Sequence, residues 1–336
     1  MVRDRLHVVM LPFSAFGHMI PFFQLSIALA KAGVHVSYVS TPRNIQRLPK
    51  IPPNLATFID LVGFPLPTLQ NGVLTEGSEA TTDFPQEKLN QLPDWIIIDF
   101  FPHWAVEIAQ DHNIRLVFFT VMSAATSVFL GKPPGFLFLS DQTPAWRSPE
   151  SLTKPPEWVS FPSSVGWREY EAPFVLSGLY ADGVSGMSDA ARLTKVLRSC
   201  NAFAIRSCKE FEGEYLNLHE KLMAKPVISV GWGSVIETLQ FGHSLVVLPL
   251  VYDQSLNASL LVDKHLAVEV ERGKDGSFNR DGIANALRLA MVSDEGEAFR
   301  VRAREASAIF GDENLHQQHY IGQFVEYLKH GSHNIE

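Results

Sequence analysis

The feature that most constrains this chain is a set of short β-type runs with almost no polar alternation. Residues 6–13 are nearly all apolar and end in Pro and Ser, and residues 95–99 read Trp-Ile-Ile-Ile-Asp. Residues 35–40, 57–62 and 116–120 are further runs of the same kind. A strand exposed on one face alternates, whereas a strand covered on both faces does not. Helical patterns fall between the runs, at 22–32, which stops at Gly33, and at 104–111. The chain is therefore expected to be α/β, with a parallel sheet, helices on each side and right-handed crossovers.

With 336 residues, of which 46% are hydrophobic and 19% charged, there is material for about two domains with buried cores. The 28 Lys and Arg against 36 Asp and Glu leave a formal charge of −8 with no basic block. That excludes a nucleic-acid partner, which needs a positive stripe against phosphates, and disfavours an anionic membrane. No apolar run reaches the roughly 20 residues of a membrane helix. The opening residues imitate a signal peptide only faintly, since His7 and Pro12 interrupt them and a βα pattern follows. Cys200 and Cys208 lack disulfide or metal spacing and read as reduced thiols, so the chain reads as cytoplasmic.

Residues 131–185 are rich in Pro, Trp, Ser and Gly and read as a long irregular excursion that shapes a pocket wall. A helix at 188–199 and a strand at 202–205 follow. A second α/β unit begins after Pro226, with a helix at 235–241, a strand at 244–249, a helix at 255–264 and a strand at 267–270. Helices at 279–292, 295–309 and 314–329 close the chain. The span 228–310 is roughly half the length of a complete doubly wound domain.

Three constellations carry candidate chemistry. Pro12-Phe-Ser-Ala-Phe-Gly-His18 lies at the carboxyl end of the first strand, the rim where open α/β sheets bind ligands. His18 suits a general base, or else caps the next helix or packs in the loop. Asp99 closes the strand at 95–99 and either orients an imidazole or caps a helix starting near His103. Asp99 with His103 as a metal pair lacks a third ligand. The third constellation is Gly231-Trp232-Gly233-Ser234-Val-Ile-Glu237 with Asp253-Gln254 after the next strand, a small-residue helix start beside groups that suit sugar hydroxyls. There is no Gly-x-Gly-x-x-Gly, P-loop or Gly-x-Ser-x-Gly element. His316 and His319 are expected on the exposed face of a terminal helix.

Together these segments resemble the plant family 1 UDP-sugar-dependent glycosyltransferases over almost the whole chain. Residues 11–21 resemble the family's opening, and residues 231–254 resemble half of its carboxy-terminal signature box. Residues 157–165 and 205–215 resemble the subgroup that extends the sugar of a triterpenoid, flavonoid or diterpenoid glycoside. The resemblance implies a GT-B-like fold of two Rossmann-like domains: an acceptor domain at 1–227, a partial nucleotide-sugar domain at 228–312, and a helix and tail at 313–336 packing back on the first. It implies His18 as the base that deprotonates the acceptor hydroxyl and Asp99 as its carboxylate partner. Gly231, Trp232 and Gly233 belong to the UDP-sugar site, Ser234 contacts phosphate, Glu237 ribose, and Asp253 with Gln254 the donor sugar. The implied reaction is an inverting displacement with a UDP-sugar co-substrate, a glycoside acceptor, and neither cofactor nor metal.

The sequence departs from that pattern in the donor half. There is no Trp-Ala-Pro-Gln segment, Ser229 stands where the family has a histidine, and Lys225-Pro-Val-Ile runs directly into the middle of the box. The stretch 84–92 is also short. The first donor-domain strands are expected to be missing, as in a splice product, a gene-model break or a decayed copy. Little or no turnover is then expected. The alternatives are a non-catalytic module that keeps the acceptor pocket, and an α/β hydrolase using His18 and Asp99, for which no nucleophile is evident.

Overall fold

The computed structural model describes residues 6–64, 92–131, 148–183, 186–231 and 234–331. The first half contains β1 (His7–Leu11), α1 (Phe16–Lys31), β2 (His35–Ser40), α2 (Pro42–Ile45), β3 (Ile59–Gly63), β4 (Trp95–Ile98), α3 (Ala105–Asp111) and β5 (Arg115–Thr120). Next come α4 (Ala124–Leu130), α5 (Ala172–Tyr180), α6 (Asp189–Ser199), β6 (Ala202–Ile205), α7 (Lys209–Met223) and β7 (Val227–Ser229). The remainder is α8 (Ser234–Leu239), β8 (Leu245–Val247), α9 (Gln254–Asp263), β9 (Ala267–Glu269), α10 (Arg280–Met291), α11 (Glu297–Phe310) and α12 (Gly322–His330).

A seven-stranded sheet runs β3-β2-β1-β4-β5-β6-β7, and β8 and β9 form a second, parallel sheet. The pairs β1–β2, β2–β3, β1–β4 and β4–β5 are parallel. Strand order turns back between β1 and β4, where Leu11 lies opposite Ile98. In an open α/β sheet that switch point opens a crevice at the carboxyl rim.

Two compact units make up the chain: Met1–Val121 with Lys195–Ala204 and Ile321–Glu336, and Met122–Thr194 with Ile205–Tyr320. In the first, Val8, Val9, Met10, Ile97, Ile98 and Val117 of the sheet are buried, and Phe22 and Leu29 of α1 are buried with them. The C-terminal helix α12 packs here. The buried Trp95 donates its indole N–H to the Leu328 carbonyl at 2.7 Å, lies 5.6 Å from the Tyr327 ring, and is covered by the Arg115 guanidinium at 4.0 Å.

In the second unit, residues 122–194 are bonded to residues well beyond 205. The Glu212 carboxylate accepts the N–H groups of Ala124 (3.2 Å) and Ala125 (2.8 Å) at the start of α4, and the Ser207 hydroxyl at 2.5 Å. To place this side chain α7 departs from helical geometry at Glu212 (φ −130°, ψ 34°). A small core joins Val268, Val270, Ala286 and Ala290, with Val246, Leu248, Ile283, Leu289 and Phe299 against it.

Several elements differ from the sequence reading. Helix α1 starts at Phe16 rather than at 22 and contains Pro21 as its sixth residue. Proline has no N–H to donate to the Gly17 carbonyl, so one bond near the helix start is forgone and the helix continues. The excursion 131–185 is not irregular throughout, because it contains α5 and a 3₁₀ turn at Pro149–Thr153; residues 132–147 lie outside the described ones. The 15-residue α7 has no counterpart in that reading. The expected helix at 314–329 is a π-helical turn at Leu315–Ile321 followed by α12. His316 is consequently buried, with Nε2 3.1 Å from the Phe310 carbonyl, while His319 is exposed. The wider turn takes the two histidines off the common exposed face that an α-helix would have given them. Of the stretch 84–92, only Leu92 is described.

His219 of α7 is buried, and burial pushes its pKa down to about 3. The unfolded chain then binds the proton that the folded one refuses, so stability falls as pH drops from about 6.5 towards 3. The slope contributed is about 1.4 kcal/mol per pH unit. Acid titration followed by circular dichroism is expected to show this slope in the wild type and its loss in His219→Phe, which has nothing to protonate. Among the described residues no helix is long and apolar enough to cross a membrane.

Candidate functional site

Because β1 and β4 are neighbours, the residues that follow them share one rim. Phe13 follows β1, and His18 sits in the first turn of α1 rather than in the loop. Asp99 directly follows β4. It is buried and accepts three donors: the Phe13 N–H at 2.6 Å, the Phe101 N–H at 2.9 Å, and His18 Nδ1 at 3.1 Å. Two backbone bonds orient the carboxylate, and the imidazole docks on it. Helix α3 begins six residues beyond Asp99, with Trp104 as its N-cap, so Asp99 does not cap it.

A carboxylate oxygen only accepts, so Nδ1 carries the proton in this pair and Nε2 presents a lone pair. No described residue bonds Nε2, and the His18 side chain is 21% exposed. Aromatic rings surround the imidazole: Phe13 lies edge-on at 5.4 Å and Phe100 at 6.3 Å, and Phe13 stacks on Phe101 at 3.6 Å. Phe16, 51% exposed, carries the Arg47 guanidinium 5.9 Å from its ring. Tyr38 is buried and donates its hydroxyl to the Met19 carbonyl at 2.9 Å; burial, then the Asp99 charge, push that phenol well above its usual range. The sequence reading singled out none of these aromatics, although four of them flank the two motifs directly. An imidazole with one nitrogen oriented and the other open, beside apolar walls, can take a proton from a substrate hydroxyl.

The other candidate residues lie in the second unit. Trp232, Gly233 and the side chain of Ser234 are outside the described residues. Gly231 has φ +67°, and a Cβ there would sit 2.8 Å from His316 Nδ1, so backbone conformation and the packed imidazole both require glycine. Glu237 of α8 pairs with Arg206 at 3.5 Å, and burial pushes the Arg206 guanidinium down to about 10 despite that carboxylate. Asp253 precedes α9 and accepts from Asn257 Nδ2 at 2.9 Å. Gln254 Oε1 accepts the N–H groups of Leu250 (2.8 Å) and Val251 (3.3 Å). Cys208 is buried, which raises its thiol pKa and leaves it unsuited as a nucleophile. Among the described residues no group of three or more His, Cys, Asp or Glu could hold a metal.

The imidazole–carboxylate pair lies at the switch point of a parallel α/β sheet, and solved structures show that the fold is of the GT-B class. The Phytolacca americana UGT2 structure, complexed with UDP-2-fluoro-glucose and pterostilbene, superposes with TM-score 0.68 at 15% identity, over 96% of this chain and 100% of that one. No protein-family profile matches the chain. Among curated relatives, UDP-glycosyltransferase 91A1 of Arabidopsis thaliana is 29% identical over 464 positions, covering 96% of this chain and 97% of the relative. Soyasaponin III rhamnosyltransferase of Glycine max is 28% identical, covering 96% and 95%. Inactive UDP-glycosyltransferase 79A6 of Glycine max is 32% identical over 242 positions, covering 69% of this chain and 76% of the relative. The chain belongs to the plant UDP-glycosyltransferase family.

Proposed function

We propose that this chain binds a small plant glycoside (triterpenoid, flavonoid or diterpenoid) and transfers to one of its hydroxyls the sugar of a UDP-sugar. On this reading transfer is inverting, needs no metal, and is far slower than in relatives with a whole donor half. The observation that carries it is the His18–Asp99 pair at the β1/β4 switch point. His18 Nε2 takes the acceptor hydroxyl proton as the oxygen bonds to the anomeric carbon. The bond from that carbon to the diphosphate breaks, and UDP leaves with the electron pair. Asp99 stabilises the imidazolium formed. Residues 1–227 hold the acceptor and 228–312 the donor, through Gly231, Trp232, Gly233, Ser234, Glu237, Asp253 and Gln254. The similarity to Soyasaponin III rhamnosyltransferase supports the acceptor class.

Slow transfer is supported by the donor half. The alignment with UDP-glycosyltransferase 91A1 needs 464 positions against 336 residues here, and the Trp-Ala-Pro-Gln segment and the box histidine have no equivalents. Leu287, Met291 and Val292 are exposed apolar residues on and just after α10, as helices show when strands they would cover are absent. Each lost contact to the leaving group costs about 2–4 kcal/mol, or roughly 30- to 1,000-fold in rate. A second reading, acceptor binding without transfer, is favoured by Glu237 being held by Arg206.

Calorimetry with a flavonoid or triterpenoid glycoside, and chromatography after incubation with UDP-glucose, UDP-rhamnose or UDP-galactose, test both. Expected are acceptor binding and a transfer rate at least about 100-fold below UDP-glycosyltransferase 91A1. Binding with no product establishes the second reading. Transfer as fast as the relative's removes the slow-transfer claim, and failure to bind any glycoside removes the acceptor assignment.

A further inference from the structure

We propose that residues 164–171 form a strap whose Trp167 and Arg168 are positioning residues for the turn carrying Asp253 and Gln254, so that Gln254 offers the donor sugar its amide N–H groups. The proposal rests on the reading above that these two residues contact the donor sugar.

The turn is conformationally disfavoured. Tyr252 has φ +54°, a left-handed backbone that residues with a Cβ avoid, and its side chain is 73% exposed, so ring packing does not hold it there. What meets it is the Trp167 indole, whose N–H donates to the Tyr252 carbonyl at 2.7 Å. That indole is buried and lies edge-to-face with Phe129 at 4.9 Å, so the bond comes from a fixed platform. Two residues on, Gln254 Oε1 closes the turn on the Leu250 and Val251 N–H groups. Its oxygen is thereby used, and its Nε2, which no described residue bonds, is the group left for a ligand oxygen.

The rest of the strap grips the helix that the turn begins. Ser255, Ser259 and Asp263 recur every fourth residue along one face of α9. The strap meets them in reverse order. Ser255 donates to Glu171 Oε1 at 2.6 Å, Arg168 Nη1 donates to Ser259 Oγ at 2.7 Å, and Ser164 donates its N–H and hydroxyl to Asp263 at 2.9 and 2.5 Å. Arg168 also pairs with Glu269 of β9. Glycine is required at 166, where a Cβ would lie 2.6 Å from the Thr153 carbonyl oxygen. The strap thus fixes the axis of α9 through side chains and the strained residue before it through one indole bond.

The test uses Trp167→Phe, which keeps the ring and removes the N–H, and Arg168→Gln, which keeps the indole bond and cuts two links to α9 and β9. Amide hydrogen exchange at Leu250 and Val251 is expected to quicken about tenfold in Trp167→Phe, the size of one ordinary hydrogen bond. Calorimetry should show UDP-glucose binding weakened about tenfold while UDP alone changes less than about twofold, because the turn contacts only the sugar. Arg168→Gln should show the same pattern at smaller amplitude, and it carries the test if Trp167→Phe does not fold. Unchanged exchange, or equal weakening of UDP and UDP-glucose, overturns the proposal. A wild type that binds UDP-glucose no tighter than UDP overturns the sugar-contact reading of Asp253 and Gln254, and with it the proposed role of the strap. Glycoside binding judges the acceptor assignment separately.

Discussion

His18→Ala is expected to lower the residual rate of sugar transfer by about two to four orders of magnitude, the span usually supplied by a positioned general base. Glycoside affinity should stay within about threefold, because the aromatic walls from Phe13, Phe100 and Phe101 remain. The reason is the geometry at the rim: Asp99 accepts a hydrogen bond from the Nδ1–H of His18 at 3.1 Å and leaves Nε2 to receive the acceptor's proton. Asp99→Ala should cost nearly as much in rate, since the imidazole then loses both its orientation and the charge that stabilises its cation. It should also lower stability, because the N–H groups of Phe13 and Phe101 lose their acceptor. Product formation over hours, measured by chromatography with melting temperature alongside, separates the two variants. A His18→Ala chain that transfers as fast as the wild type would remove the imidazole from the mechanism.

Glu212→Ala is expected to destabilise the second unit by about 3–5 kcal/mol in denaturant titration. Glu212 is buried, and burial raises its carboxyl pKa, yet it serves three donors from two segments: the Ala124 and Ala125 N–H groups and the Ser207 hydroxyl. Alanine leaves all three buried without an acceptor and opens a cavity. Glu212→Gln keeps one acceptor oxygen and should lose about half as much. The loss should appear with no change at the His18–Asp99 pair, which lies in the other unit. A stability change below about 1 kcal/mol in Glu212→Ala would show that these donors find other partners.

Much of the fold was legible because buried parallel strands write themselves as unbroken apolar runs. The runs at 35–40 and 202–205 coincide with β2 and β6, and the others overlap β1, β3, β4 and β5. Helix boundaries were less legible. The helix-forming pattern placed the start of α1 at 22, yet the helix begins at Phe16 and tolerates one missing bond at Pro21. Helix α7 was hidden by a polar, glycine-containing stretch whose burial of Phe211, Tyr215 and His219 depends on tertiary partners. His316 was misplaced because spacing rules assume α-helical turns, and residues 315–321 are π-helical. The aromatic walls around His18 were not seen, since isolated phenylalanines in a 46% hydrophobic chain carry no signal of their own.

Local sequence determined which elements form and that His18 and Asp99 each follow a strand, because side-chain period and strand ends are properties of neighbouring residues. It also set the family through short motifs at fixed spacing. Only tertiary structure decided that β4 pairs with β1, which brings together two residues 81 positions apart in the chain. Likewise, only packing decided that a segment in the 160s fastens α9 and the turn before it. Strand order and long-range side-chain pairing depend on which surfaces bury the most apolar area and satisfy the most polar groups together, and that sum runs over the whole chain.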